Sequence, residues 1–264
     1  MVRKLEAEVG AELLSRSGRG IDLTEAGRVF VAHAEDAVRR ADAAVTAVRE
    51  VMGLQSGSIR IGGGATATSY LLPRVVSAMR RAHPGLRFYV REAGSSAVAA
   101  AVSSGELDVG IVTLPLKGPE TDDLMRIPLV DDELRLIRPP ERGARGKTPA
   151  QRGTFTWKEI ADEPIVAFEA GSAVRELLDR AAAAAGVSLN VVMELRSIES
   201  IKQMVAAGIG VGFVSRFAIK EGEGQACRDS RLARSLAIIR KRDRTPSPAV
   251  AEFERVLLSP RRSA

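Results

Sequence analysis

The residues best suited to chemistry stand between an apolar run, Ile59-Arg60-Ile61, and a helix-like segment beginning near Tyr70: Gly62-Gly63-Gly64-Ala65-Thr66-Ala67-Thr68. A turn from strand to helix exposes backbone N–H groups at the positive end of the helix dipole, and threonine hydroxyls beside them suit a small anion. Ala65 and Thr66 are candidate binding residues on that ground. A nucleotide-type phosphate loop is excluded, because no Gly-Lys-Ser/Thr follows the glycines.

Covalent catalysis lacks its parts. Only two histidines exist, His33 within a long helical stretch and His83 before Pro84-Gly85, and neither is placed to activate a serine. The single cysteine, Cys227, cannot form an internal disulfide, and with two imidazoles there is no metal-ligand spacing. The residues therefore point to binding without catalysis, with no metal and no cofactor.

The elements that must position this loop follow a strand-helix rhythm. Short apolar runs (Ile59–Ile61, Leu86–Val90, Val109–Val112) alternate with helix-like segments near Tyr70 and Ala97. The rhythm resumes with strands at 133–137, 164–168, 190–195 and 211–214 and helices at 174–185 and 198–207, and it ends in an amphipathic helix at 249–258. Such alternation predicts parallel sheets with helices on their faces, in two α/β lobes.

The first 52 residues have another design. Leu5, Val9 and Leu13 recur at helical spacing, Gly10 interrupts, and two short runs flank Ser17-Gly18-Arg19-Gly20 as a small hairpin. Thr24 is a good N-cap, and no proline follows through Met52, so a helix of about seven turns is predicted. Along it Phe30, Ala34, Ala37, Ala41, Ala44, Val48 and Val51 alternate spacings of four and three, the seam of a coiled coil. The helix should pair with another copy, and Gly53-Leu54-Gln55-Ser56-Gly57-Ser58 should form a hinge after it.

The net charge of +6 would suit a polyanion, but residues 1 to 52 hold eight Lys/Arg against nine Asp/Glu. The excess lies in 135–152 and 240–262, so bulk charge does not locate a nucleic-acid face. No apolar run approaches the roughly 20 residues of a membrane helix, and the start lacks a secretory core. A cytoplasmic protein without a membrane partner is expected.

Val2-Arg3-Lys4-Leu5-Glu6, Val9-Gly10, Leu13-Leu14, Arg16, Gly18-Arg19-Gly20 and Leu23-Thr24-Glu25-Ala26-Gly27 closely resemble the C-terminal half of a LysR-type DNA-binding domain. Three further stretches are similar to the same family's sensor: Gly57–Ile61 leading to Tyr70-Leu71-Leu72-Pro73, Gly105-Glu106-Leu107-Asp108-Val109-Gly110, and Ile201 through Gly212. The resemblance spans nearly the whole chain. Family members carry about two more helices before Val2, so the helix-turn-helix here is shortened; a gene start assigned too late is the expected cause, a fragment or natural truncation the other option.

The resemblance implies an α/β fold: a partial winged helix-turn-helix (1–23), a linker helix (24–56), and a two-lobed effector domain like type 2 periplasmic binding proteins. That domain comprises lobe I (57–130), lobe II (131–239) and a return to lobe I (240–264). It implies promoter DNA as a partner where the full helix-turn-helix is present, with Arg3, Lys4, Arg16 and Arg19 as phosphate-positioning contacts. A homodimer or homotetramer is implied too.

By the same resemblance the cleft between lobes takes a small co-inducer, an organic acid, with Ser95, Ser96, Ser172, Arg175, Ile198 and Glu199 joining Ala65 and Thr66. Ser172 at a helix start would hold a carboxylate, and Arg175 would add a charge-assisted bond. Relatives often carry a hydroxyl where Gly64 and Ala65 stand, so this pocket is less polar. The competing reading is a cytosolic small-molecule-binding protein of the same fold that does not bind DNA effectively.

Overall fold

A computed structural model of the chain describes residues 2–17, 20–51, 57–116, 118, 121–140 and 153–259. Arg19, most of the expected hinge (53–56) and much of the basic run (141–152) lie outside the described residues.

Helix α1 (Val2–Val9) ends where Gly10 takes a φ of 74°, a conformation glycine adopts without strain. Strands β1 (Leu14–Ser17) and β2 (Gly20–Leu23) form an antiparallel hairpin. Glu6 Oε1 accepts from the Leu13 and Leu14 amides at 2.9 and 3.2 Å, tying the helix to the hairpin. Helix α2 (Glu25–Val51) starts on Thr24, whose Oγ1 accepts from the Gly27 amide at 2.9 Å. A Cβ at Gly27 would stand 2.1 Å from the Leu13 carbonyl oxygen, so the glycine that closes Leu-Thr-Glu-Ala-Gly is a packing requirement at the junction of hairpin and linker.

On α2, Phe30 and Ala34 are half-buried while Ala37, Ala41, Ala44 and Val48 are exposed. Its midpoint touches the sensor: Arg39 Nη2 donates to the Ser104 carbonyl at 3.5 Å.

The sensor's first half contains β3 (Gly57–Gly63), a π-helical turn (Ala67–Leu71) running into α3 (Leu72–Ala82), β4 (Leu86–Glu92), α4 (Ser95–Ser103) and β5 (Val109–Thr113). Strand β3 pairs in parallel with β4 and β5. The long β6 (Leu124–Ile137) then crosses to the second half: β7 (Thr154–Phe155), β8 (Ile165–Phe168), α5 (Ala173–Ala184), β9 (Val191–Leu195), α6 (Ile198–Ala206) and β10 (Val211–Ser215). Strand β11 (Ala226–Cys227) precedes β12 (Ala233–Lys241) and α7 (Pro248–Leu258), which return.

The eight main strands hydrogen-bond in the order β4-β3-β5-β12-β6-β10-β8-β9. The ladder is continuous only because β6 pairs with β12 through its first ten residues and with β10 through its last four. The buried side chains, by contrast, segregate. Ile59, Ile61, Val75, Met79, Ile238 and Phe253 share one core. Phe155, Trp157 and Phe213 anchor another, their rings 5.6 to 5.8 Å apart. Two lobes on a shared spine result.

Two stretches without a clear sequence signal make that spine, Leu124–Asp132 and Ala233–Lys241. Their apolar pattern is interrupted by Asp131-Asp132-Glu133 and by Arg234, Arg240 and Lys241. Strand β12 already pairs with β5 at Leu236, so the chain is back in the first lobe before position 240. Among the described residues, no helix is long and apolar enough to cross a membrane.

Candidate functional site

A cavity of about 340 Å³ opens between the lobes, of a size that suits a small metabolite. The first lobe supplies the end of β3, the start of the helix at Ala65, and the first turn of α4. The second lobe supplies the end of β8 and the start of α5. Helix starts from both lobes thus face one volume, each with N–H groups that its own helix leaves unpaired.

Glycine earns its place here by packing. A Cβ at Gly62 would meet Leu107 at 2.5 Å and Val98 at 2.8 Å, and one at Gly63 would meet Ala67 at 2.9 Å. These two let α4 and the following helix lie close on β3; Gly64 has room.

Thr66 is buried, and its Oγ1 accepts from Arg234 Nη2 at 2.7 Å. Arg234 is the floor of the cleft. Its Nε and Nη2 both bond Asp132 Oδ2, at 3.0 and 2.9 Å, and its Nη1 donates to Thr113 Oγ1 at 3.3 Å. Asp132 is fully buried and also accepts from Ser215 Oγ at 2.6 Å. Both oxygens of Asp132 and all three nitrogens of the Arg234 guanidinium thus have protein partners, as a charged pair this deep requires. It joins β12, β6, β10 and the Thr66 turn, the crossovers and both lobes at one point.

Of the expected site residues, Ala65, Thr66, Ser95, Ser96 and Ser172 line the cavity together. Ser95 Oγ accepts from the Thr113 amide at 3.0 Å, while Ser96 is exposed at the same turn. Ser172 caps α5: its Oγ accepts from the Arg175 amide at 3.2 Å and donates to the Glu169 carbonyl at 2.9 Å. Thr68 turns its hydroxyl to the Glu92 carboxylate, so it serves an acceptor of the protein.

The other three are placed elsewhere. Arg175 points back along the second lobe, bonding Asp179 at 2.9 Å, Glu194 at 2.7 Å and the Phe168 carbonyl at 3.2 Å. Ile198 is 3% exposed within the second core. Glu199 accepts a hydrogen bond from Tyr70 of the first lobe and one from Lys202 at 3.0 Å, away from the cavity lining. Both bonds, that from Tyr70 foremost, hold its carboxyl below the ordinary range. Burial, and then the neighbouring carboxylate, push the Tyr70 phenol up, so it stays a donor. The pair is a bond between lobes.

Sequence reasoning passed over Arg234, Asp132, Thr113, Glu92 and Arg196. A signal existed for the first two: an arginine opening the apolar run Leu236–Ile239, and an acidic pair inside a strand. Among the described residues no group of three or more His, Cys, Asp or Glu is arranged to hold a metal ion.

Arg3 and Lys4 stand exposed on α1, and Arg16 lies on β1.

Comparison with known proteins places this geometry. Residues 52–259 match the LysR substrate binding domain family. A "Probable RuBisCO transcriptional regulator" of Synechocystis sp. is 28% identical over 97% of this chain and 76% of its own length. One of the same description from Nostoc sp. is 28% identical over 83% of this chain, which spans 64% of that relative. Among solved structures, a full-length OxyR variant from Pseudomonas aeruginosa aligns over 97% of this chain and 82% of its own, with a TM-score of 0.64 and 24% identity. The CcmR regulatory domain of Synechocystis in complex with 2-PG aligns over 77% of this chain and 96% of its own, with a TM-score of 0.65 and 22% identity.

Proposed function

The chain belongs to the LysR substrate binding domain family, and from that premise we propose that it is a cytoplasmic LysR-type transcriptional regulator that senses a small metabolite between its lobes. The observation that carries this is the cleft itself: helix starts from both lobes face a cavity of about 340 Å³ floored by Arg234. An anionic group on the metabolite, a carboxylate of an organic acid, fits the N–H groups of α4 and α5. Ala65, Thr66, Ser95, Ser96 and Ser172 surround it. A ligand touching both lobes favours one angle between them, which is the only way that binding can shift a conformational equilibrium.

The exposed alanine seam of α2 supports a homodimer or homotetramer, and Arg3 and Lys4 on α1, Arg16 on β1 and, from the sequence alone, Arg19 support promoter DNA as partner. The relatives are named as transcriptional regulators, which disfavours a binding protein without a DNA role. No catalytic role is assigned to the cleft. The test is a thermal-shift screen of small metabolites, hits measured by calorimetry on the wild type and Thr66→Val. A binder that Thr66→Val weakens is expected; a complete metabolite library that shifts nothing rejects sensing.

A further inference from the structure

Both arginines that line the cleft carry a carboxylate already. Arg234 is matched by the buried Asp132, and Arg196 donates through Nε to Glu169 Oε2 at 2.6 Å. Glu92, on the opposite lobe, accepts at Oε2 from the neutral hydroxyl of Thr68. Among the described residues, the cleft therefore offers no arginine without a carboxylate partner, while Glu92 has no cation of its own. Helix starts give an anionic group its place, but the side chains around it leave negative charge over.

We infer that the effector is a zwitterion of amino-acid type: its carboxylate sits at the starts of α4 and α5, and its ammonium group binds Glu92, with Glu169 of the other lobe as second acceptor. This rests on the cleft being the sensing site. The Oε1 atoms of both glutamates remain for N–H donors, which an ammonium group supplies three of. An ammonium ion between a carboxylate of the first lobe and one of the second would also draw the lobes together. A ligand with only anionic groups would face the Glu92 carboxylate uncompensated.

The experiment is a thermal-shift and calorimetric comparison, on the whole chain, of α- and ω-amino acids with the 2-oxo and 2-hydroxy acids of the same carbon skeletons. At least one amino acid should bind, and its oxo and hydroxy counterparts should bind about tenfold more weakly or worse, a factor equivalent to roughly 1.4 kcal/mol. Glu92→Gln and Glu169→Gln keep the bonds from Thr68 and Arg196; each should weaken the amino acid by a similar factor and leave the unliganded melting temperature unchanged. Oxo or hydroxy acids binding as well as their amino partners would overturn the inference and leave metabolite sensing standing. So would a hit confined to sugar phosphates or other pure anions, or an amino acid indifferent to both variants. Silence from every compound class would reject metabolite sensing as well.

Discussion

Replacing Asp132 with alanine strands the Arg234 guanidinium, whose side chain is 10% exposed, against a carboxylate that is gone. Two bonds of 2.9 and 3.0 Å to Asp132 Oδ2 disappear, and Ser215 loses its acceptor at 2.6 Å. Breaking a buried pair by removing one partner costs about 3–5 kcal/mol, because the survivor is a desolvated charge. For a unit of about 200 residues each kcal/mol moves the melting temperature by roughly 2–4 °C, so a fall of about 6–20 °C is expected. Removing both charges in Asp132→Ala/Arg234→Met should recover more than half of the loss, since no uncompensated charge remains. Thermal and urea unfolding of the wild type, both single variants and the double variant close the cycle. A loss under about 1 kcal/mol for Asp132→Ala, the scale of an exposed pair, would refute the reasoning. A double variant no better than the single would refute it equally.

Gly27→Ala forces a Cβ onto the Leu13 carbonyl and should cost about 1–3 kcal/mol at the hairpin; hydrogen exchange should rise in α1, β1 and β2 while the sensor keeps its protection. Ala41→Glu puts a charge on the proposed seam of α2 and should shift sedimentation toward a single chain; an unchanged mass would remove that seam from the interface. Glu199 has its folded-state pKa lowered by the Tyr70 and Lys202 bonds, so its stabilisation is present above the ordinary carboxylate range and lost as pH falls through the lowered value. Tyr70→Phe should therefore move the Glu199 titration upward by NMR and loosen the lobes in small-angle scattering. Burial outweighs the Arg240 charge and raises Glu254, so Glu254→Gln should melt higher than the wild type at neutral pH, with the difference closing in acid, where both side chains are neutral.

The helices and parallel strands were legible because each buries one periodic face: Val75 and Met79 on α3, Ile201 and Val205 on α6, the unbroken Ile165–Phe168 and Val211–Val214 runs. The Thr24 cap and the Gly10 stop were legible from residue type alone. The crossovers were not, because β6 and β12 are shared between lobes and carry the charges of the spine inside their apolar pattern. The site divides the same way. Ala65, Thr66, Ser95, Ser96 and Ser172 lie at strand-to-helix turns, which local sequence marks. Arg234 and Asp132 are 102 positions apart and meet only because β12 pairs alongside β6. Arg175 has the right residue type at the right helix start, yet Glu194 on β9 supplies a carboxylate partner that no local pattern announces.

Helix α4 begins in the cleft at Ser95 and is capped at its far end by Ser104, whose carbonyl takes a bond from Arg39 in the middle of α2. It is about 13 Å of rod, wedged on β3 so closely that Gly62 has no space for a side chain. One short rod thus links the effector cleft at its first turn to the stalk at its last. In the dimer proposed above, a change in the angle between the lobes that carries α4 with it would therefore reach the stalk at Arg39.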